Sequence, residues 1–385
     1  MSASFGTDYT DKLSFVAEWF DYESAYQKRL LLNYYPCDST IELYDIDLKR
    51  IFLKRSFYEG LQRKDVFVGN TIRIYGRQLK ITDYADCRTK QVIGNTRQHT
   101  FGVIKPSIID KIGEVFNQIQ DRHFEIIKVR MCHLQQSECL ELYDHLRGSA
   151  FLPFVVDYVT SGPIVALELV GDDAIKRWKE NVGPTDPVEA RRTAPNSLRA
   201  IYGLEKALNA FHAADDCDSA TKKIQLFFPE DGRKAPRTTL KLKNSTCCVV
   251  KPHAISEGKL GYIISFITDS HFKITAMQAF YLNNANAEEF LEVYKGVVSD
   301  FNALLLSFLE GPCIALEISA KNDDIDVHGE FRKFVGPSDS EVARQIRPNS
   351  LRAKFGIDKY KNAVHCTDLK EDTELELEYF FKILS

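Results

Sequence analysis

Two histidines, His212 and His365, sit in near-identical surroundings. Each follows an asparagine by three residues (Asn209, Asn362) and follows, by thirteen, the arginine of a Ser-Leu-Arg-Ala run (Arg199, Arg352). A Val-Gly-Pro turn precedes each block, at 182–184 and 335–337, and the whole block repeats at a constant offset of 153 residues. Histidine is the side chain that titrates near neutral pH, and its neutral ring nitrogen is a competent nucleophile. A guanidinium offers a planar fork of donors that matches phosphate oxygens. Lys105 and Lys251, each between a short apolar run and a proline, can bring a point charge to the same anion. Lysine, arginine and histidine in this pattern point to a phosphate-handling site present twice.

Other phosphate and metal chemistries are excluded by the motifs. Gly258-Lys259 is followed by Leu260 and lacks the upstream glycine of a P-loop, and there is no His-Glu-x-x-His and no Asp-rich calcium loop. The remaining histidines, at 99, 123, 133, 145, 253, 271 and 328, read as surface or satisfied core residues. The nine cysteines are scattered without a Cys-x-x-Cys pair, so they read as reduced thiols of a cytosolic protein, most of them small buried side chains. A net charge of −4 gives no global attraction to nucleic acid or anionic membrane. No apolar run approaches the roughly 18 residues that span a bilayer. Met1 to Asp11 is polar and lacks the apolar core of a signal peptide.

The elements that must position these groups follow from periodicity. At 385 residues, 44% hydrophobic and 27% charged, the chain has room for two to four soluble domains. Val103-Ile104-Lys105-Pro106 answers Val249-Val250-Lys251-Pro252, and Gly162–Leu169 answers Gly311–Ile318. After each Lys-Pro, apolar residues fall at i, i+3, i+4 and i+7 (Ile112, Val115, Phe116, Ile119; Leu260, Ile263, Ile264, Ile267), one face of a helix. Runs at 101–104, 124–131 and 163–170 read as buried strands, and Ser137 reads as the cap of the helix carrying Leu140, Tyr143 and Leu146. This order predicts helices layered on a small sheet, twice, at roughly 97–230 and 245–385. The Pro-, Gly- and charge-rich stretch 229–237 reads as a linker short enough for the two copies to pack as a pseudo-dimer. Residues 11–92 differ: 41–46, 71–75 and 78–82 alternate apolar with polar, and turn signals at 36–39 and 69–70 separate them, which predicts a small β domain for binding.

Val-Ile-Lys-Pro, Ser-Gly-Pro, Gly-Pro-Thr-Asp-Pro, Ser-Leu-Arg-Ala and Asn-x-x-His-x-x-Asp together resemble the nucleoside diphosphate kinase signature, twice over across 97–385. Phe52-Leu53-Lys54-Arg55 and Val68-Gly69-Asn70 are similar to the DM10 module of ciliary proteins. The resemblance implies an α+β chain: a PH-like DM10 domain over 1–94, ferredoxin-like kinase domains over 95–230 and 245–385, and a linker over 231–244. It implies a ping-pong phosphotransferase in which His212 and His365 carry the phosphoryl group between nucleotides. Lys105, Tyr143, Phe151, Lys179, Thr185, Arg199 and Asn209 would bind nucleotide in the first unit, with Phe151 stacking on the base. Lys251, Tyr294, Arg332, Ser338, Arg352 and Asn362 would do so in the second, with Glu376 supporting His365. Magnesium would come with the nucleotide and bridge its phosphates largely through water, without a carboxylate cage. The partners implied are ATP or GTP, nucleoside diphosphates, and tubulin with other proteins inside ciliary doublet microtubules, in a cytoplasmic, axonemal setting. Nucleic acid and membrane are not among them, and the kinase domains would pair in cis.

The sequence departs from the family at defined points. Lys179 stands where an arginine is usual, and Ala214 and Lys223 replace the serine and glutamate that support the histidine. A cation at 223 disfavours imidazolium at His212, so the resemblance implies reduced activity in the first unit. In the second, His253 replaces an acidic residue, Lys321–Gly329 is an insertion, and Tyr294 to Gly311 spans two residues fewer than Tyr143 to Gly162, which leaves Phe301 as the candidate for base stacking. A mainly structural microtubule-binding protein is the alternative reading.

Overall fold

Alternating apolar and polar residues near the start of the chain form six antiparallel strands: β1 (Leu13–Asp21), β2 (Tyr26–Tyr35), β3 (Thr40–Asp45), β4 (Arg50–Phe57), β5 (Thr71–Ile74) and β6 (Arg77–Tyr84). The computed structural model describes residues 12–21, 24–93, 97–322 and 324–385; the expectation for Met1–Asp11 lies outside these. The sheet runs β4-β3-β2-β1-β6-β5. Leu13, Phe15 and Ala17 of β1 face inward beside Leu30, Leu32, Ile41, Leu43, Leu79 and Ile81, all buried, the period-two pattern of a one-sided sheet. The β5–β6 hairpin turns through Tyr75 and Gly76, both at positive φ (46° and 82°), as a tight two-residue turn requires. Contacts divide the chain into two compact units, Met1–Gln98 and His99–Ser385.

The second unit is built on eight strands: β7 (Arg97–Ile104), β8 (Glu125–Cys132), β9 (Ile164–Asp172), β10 (Phe211–Ala213), β11 (Ser245–Val250), β12 (Phe272–Phe280), β13 (Cys313–Ala320) and β14 (Val364–Cys366). Their order is β10-β7-β9-β8-β12-β13-β11-β14, a palindrome in which each repeat supplies four strands. Helices between the strands give each half the α+β layering of a ferredoxin-like fold. The halves meet where β8 pairs β12, at Arg130 and Gln278.

The amphipathic stripes do the joining. Ile112, Val115, Phe116 and Ile119 on the helix Ile112–Asp121, and Leu260, Ile263, Ile264 and Ile267 on Leu260–Thr268, belong to one core shared by both halves. Where the two helices cross, Gly113 lies against Ser265 and Gly261 against Asn117, the same contact made reciprocally. A Cβ on Gly113 would stand 2.4 Å from the Ser265 backbone nitrogen, and one on Gly261 2.6 Å from that of Asn117. Backbone-to-backbone approach of this kind is open only to glycine.

One capping expectation is corrected. Ser137 lies inside the helix Gln136–Leu142, whose cap is Gln135. The Glu138 carboxylate accepts from the Gln135 backbone N–H at 2.7 Å, so a capping box starts the helix two residues before the serine. Six of the nine cysteines are buried, and none is in a disulfide. Among the described residues no helix is long and apolar enough to cross a membrane.

Gly113→Ala forces a methyl group into the Ser265 backbone, where overpacking costs about 1–3 kcal/mol. Urea unfolding should show that loss; a variant as stable as the parent would mean the helices separate at no cost.

Candidate functional site

Each histidine lies on a three-residue strand at an edge of the sheet. His212 pairs with Val103 and His365 with Val249. Two residues earlier the chain takes the left-handed conformation at an alanine, Ala210 (φ 64°) and Ala363 (φ 69°), which costs about 1–2 kcal/mol for a residue with a Cβ. Hydrogen bonds hold this strained turn. The Lys105 backbone N–H donates to the Ala210 carbonyl (2.8 Å), and that of Lys251 to Ala363 (2.9 Å). The Ala210 N–H donates to the Tyr158 hydroxyl, whereas the Ala363 N–H donates to Nε2 of His253 (3.2 Å). The lysine and histidine of each motif, a hundred residues apart in sequence, are thus fixed to one turn.

The arginines bolt the Gly-Pro loops to the histidine strands. Arg199 donates to the carbonyls of Gly183 (2.7 Å) and Phe211 (3.0 Å), and its Nε has no partner. Arg352 donates to Gly336 (3.1 Å) and twice to Val364 (both 3.1 Å). A guanidinium carries five N–H groups, so each arginine keeps donors for an anion. The loop glycines are obligatory: Gly183 and Gly336 have φ of 82° and 85°, and a Cβ on either would lie 2.3 Å from the hydroxyl of Ser197 or Ser350.

In the first unit Lys105 Nζ donates to Asn209 Oδ1 (2.7 Å), and Asn209 Nδ2 donates to the Thr185 carbonyl (3.1 Å). The Tyr143 ring stands edge-on to His212 with centroids 5.0 Å apart. Phe151 caps the helix Leu152–Thr160, with Lys206 5.7 Å from its ring. Lys179 pairs with Asp215 at 2.7 Å on the surface. In the second unit Arg332 makes the matching pair with Asp368 (2.7 Å), and Asn362 Nδ2 donates to the Ser338 carbonyl (2.8 Å). Lys251 does not reach Asn362; it donates to the Tyr360 carbonyl (2.7 Å) and lies 4.9 Å from the Phe308 ring, leaving Asn362 Oδ1 unpartnered.

The two histidines differ most in their support. His365 Nε2 lies 3.0 Å from a Glu376 carboxylate oxygen that also accepts from the Thr367 hydroxyl (2.7 Å). That contact assigns the ring proton to Nε2 and leaves the lone pair on Nδ1. His212 Nε2 is buried with no partner, and Lys223, at the repeat position of Glu376, donates to Ser219 instead (2.8 Å). Burial first, then the Lys223 charge, pushes the His212 pKa well below the usual imidazole range. Burial, followed by the neighbouring arginine, brings both Lys105 and Lys251 down to about 7.

The structure corrects the register of the second unit. Gly148 and Gly296 share φ of 81°, and the short helical turns Asp144–Leu146 and Glu292–Tyr294 align with them. Tyr143 therefore corresponds in backbone to Leu291, and Tyr294 to Leu146. The segment carries no two-residue deletion; one extra residue sits before the helix Phe301–Leu309. Tyr294 turns its hydroxyl to Asp368 (2.5 Å) and stands edge-on to His365 at 6.3 Å, while the nearer edge-on ring, at 5.1 Å, is Phe290. The position matching Phe151 is the helix cap Asp300, while Phe301 packs on the core. Within the insertion Lys321–Gly329, the described part ends in the helix Val327–Val335.

Three contributing residues carried no motif: Phe290, Tyr158 and His145, whose ring lies 6.3 Å from His212. Asp215 and Asp368, three residues after each histidine, were the detectable signal, since both repeat at the common offset. His253 is a core histidine, buried with Nε2 accepting from Ala363, whereas His145, which the sequence places on the surface or in the core, lies beside His212.

Residues 98–232 and 244–384 match the family described as nucleoside diphosphate kinase. The chain is 44% identical over 375 residues to nucleoside diphosphate kinase homolog 7 of Rattus norvegicus, covering 97% of this chain and 94% of that protein. It is 43% identical, with the same coverage, to the Mus musculus homolog 7. Nucleoside diphosphate kinase homolog 5 of Mus musculus is 38% identical over 132 residues, 34% of this chain and 63% of that protein.

Lys223→Glu gives His212 the acceptor that His365 already has. A hydrogen bond to a charged group contributes about 1.5–3 kcal/mol, so phosphorylation at His212 should rise about tenfold or more. An unchanged rate would show that ring support does not limit this site. A pH effect follows from the lysines. Their folded pKa of about 7 lies below the unfolded value near 10.5, so the unfolded chain binds more protons between these limits. Ligand-free stability from these groups should therefore rise from pH 7 toward pH 10. Urea midpoints at pH 7, 8 and 9 should show this slope, flattened by Lys105→Met with Lys251→Met.

Proposed function

Because the chain belongs to the nucleoside diphosphate kinase family, we propose that it moves the γ-phosphoryl group of a nucleoside triphosphate to a nucleoside diphosphate through a phosphohistidine, with His365 the better equipped nucleophile. The observation that carries this reading is the 3.0 Å contact between His365 Nε2 and Glu376. With the proton held on Nε2, the Nδ1 lone pair attacks the γ-phosphorus, the bond to the β–γ bridging oxygen breaks, and the diphosphate leaves. The ring becomes cationic as the P–N bond forms, and Glu376 strengthens its hold on the Nε2 proton. A terminal phosphate oxygen of a second diphosphate then attacks the phosphohistidine, restoring neutral imidazole.

Lys251 and the spare donors of Arg352 would neutralise the transferred group, with Arg332 and Ser338 at the rim. Lys105, Arg199, Lys179 and Thr185 would do the same around His212. Phe151 would give the first site a stacking surface that tolerates any base; the second site has Asp300 in that place. Magnesium would come with the nucleotide and shield the charge of its phosphates.

A second, structural role draws on the first unit. Edge strand β4 leaves Ile51 and Phe57 more than half exposed, an apolar edge suited to attachment. With the likeness to DM10 modules, this supports docking to tubulin or its neighbours in the ciliary axoneme.

Incubation with γ-labelled ATP and magnesium should give acid-labile label that His365→Ala largely removes and His212→Ala largely spares. A chain that takes up no label at either histidine ends the enzymatic reading. For the attachment reading, His212→Ala with His365→Ala should leave ciliary localisation intact, and deletion of residues 1–92 should abolish it; the opposite pattern removes that reading.

A further inference from the structure

At the seam of the palindromic sheet, Arg130 of β8 lies directly across from Gln278 of β12. Residues paired across neighbouring strands project to the same face, so the guanidinium and the carboxamide stand side by side. They also occupy equivalent repeat positions, which places them together on the pseudo-twofold axis. Both line a cleft of about 850 Å³ whose other wall is the segment between the repeats. That wall is pinned to β8: the His133 N–H donates to the Arg237 carbonyl (2.9 Å), and Cys132 bridges to Thr238.

Among the described residues each of these two polar side chains has a buried atom without a partner. Arg130 is 8% exposed, and its Nε has no partner. No carboxylate acts on it among the described residues; besides burial, the only group that shifts it is the Cys132 thiol. Gln278 is 7% exposed, and one end of its carboxamide, whose O and N ends are interchangeable by rotation, is unpartnered. The neighbouring Lys128 is already committed, at 3.3 Å from Glu168 and 3.2 Å from Glu230. Lys234 and Arg237 add exposed positive charge at the rim. A guanidinium keeps its proton even when buried, and a buried cation without a counterion is unfavourable until an anion supplies one.

We propose that this cleft is a binding site for a small oxyanion ligand, a phosphate or carboxylate compound, separate from both histidine sites. The guanidinium takes the oxyanion through its fork, the Gln278 amide donates a further hydrogen bond, and Tyr281 and Phe228 line the walls beside the ligand. The seam is three strands from β10 and three from β14, so roughly 14 Å of sheet separates it from either histidine strand. Its position where both halves meet makes it a place at which a ligand holds the two repeats together.

Hydrogen–deuterium exchange on the full chain separates this cleft from the histidine sites by location. Inorganic pyrophosphate and, in a second arm, citrate are titrated while exchange is followed over residues 228–238. Slowing with at least one anion is expected, with half-saturation at least about tenfold higher in Arg130→Met. Pyrophosphate alone assigns the phosphate class, citrate alone the carboxylate class, and both assign a general oxyanion site. Phosphohistidine labelling should be the same in Arg130→Met as in the parent. No slowing with either anion, or equal slowing in Arg130→Met, overturns the proposal. Gln278→Glu sets a carboxylate beside the guanidinium; it should raise the melting temperature of the ligand-free chain and abolish the response to both anions. If that variant binds as the parent does, the proposal is also overturned.

Discussion

The second unit depends on one close approach, the crossing of the helices Ile112–Asp121 and Leu260–Thr268 through Gly113 and Gly261. Each helix buries its apolar stripe against its own half of the sheet and against the other helix. Because the backbones touch, the two repeats are drawn close enough for β8 to find β12, and eight strands become one sheet. The repeat is therefore a structural pair before it is a chemical one. Neither half covers its helix alone, which ties the duplication to folding independently of whether either histidine turns over.

Chemistry has diverged more freely than architecture. The turn before each histidine keeps its left-handed alanine, its lysine N–H and its arginine bolt in both halves. What changed are the groups that hold this frame: Tyr158 in one half does what His253 does in the other, and Tyr143 yields its place against the histidine to Phe290. Only the second half has a carboxylate on Nε2. Backbone geometry tolerates such exchanges because a hydroxyl and an imidazole nitrogen both accept one hydrogen bond at similar reach. Proton placement does not tolerate a lysine for a glutamate, because the sign of the field reverses.

Much of this could be read from residue types and spacing. The two helix stripes, the strands flanking them and the β pattern of the first unit all follow from periodicity, since burial on one face leaves that mark directly. Lys105, Asn209, Arg199 and His212 were legible as a set because the repeat preserved them together. The register of the second unit was not. Pairing Tyr143 with Tyr294 matched like residues, whereas the backbone is fixed by the positive φ of Gly148 and Gly296, which residue likeness does not weigh. The capping box at Gln135 escaped for a related reason: serine is the commoner cap, and the reciprocal bond from Glu138 decided otherwise. His253 could not be found from spacing, because its partner is a backbone N–H 110 residues away.

The palindrome places β10 and β14 at the outer edges of the eight-stranded sheet. An open edge invites another chain to add a strand, and long flat edges are where proteins polymerise. Here each edge strand is three residues long and enters through a left-handed alanine. A ladder that short gives an incoming strand almost nothing to grip. The segments that present the histidines thus also close the sheet at both ends and guard it against edge-to-edge association.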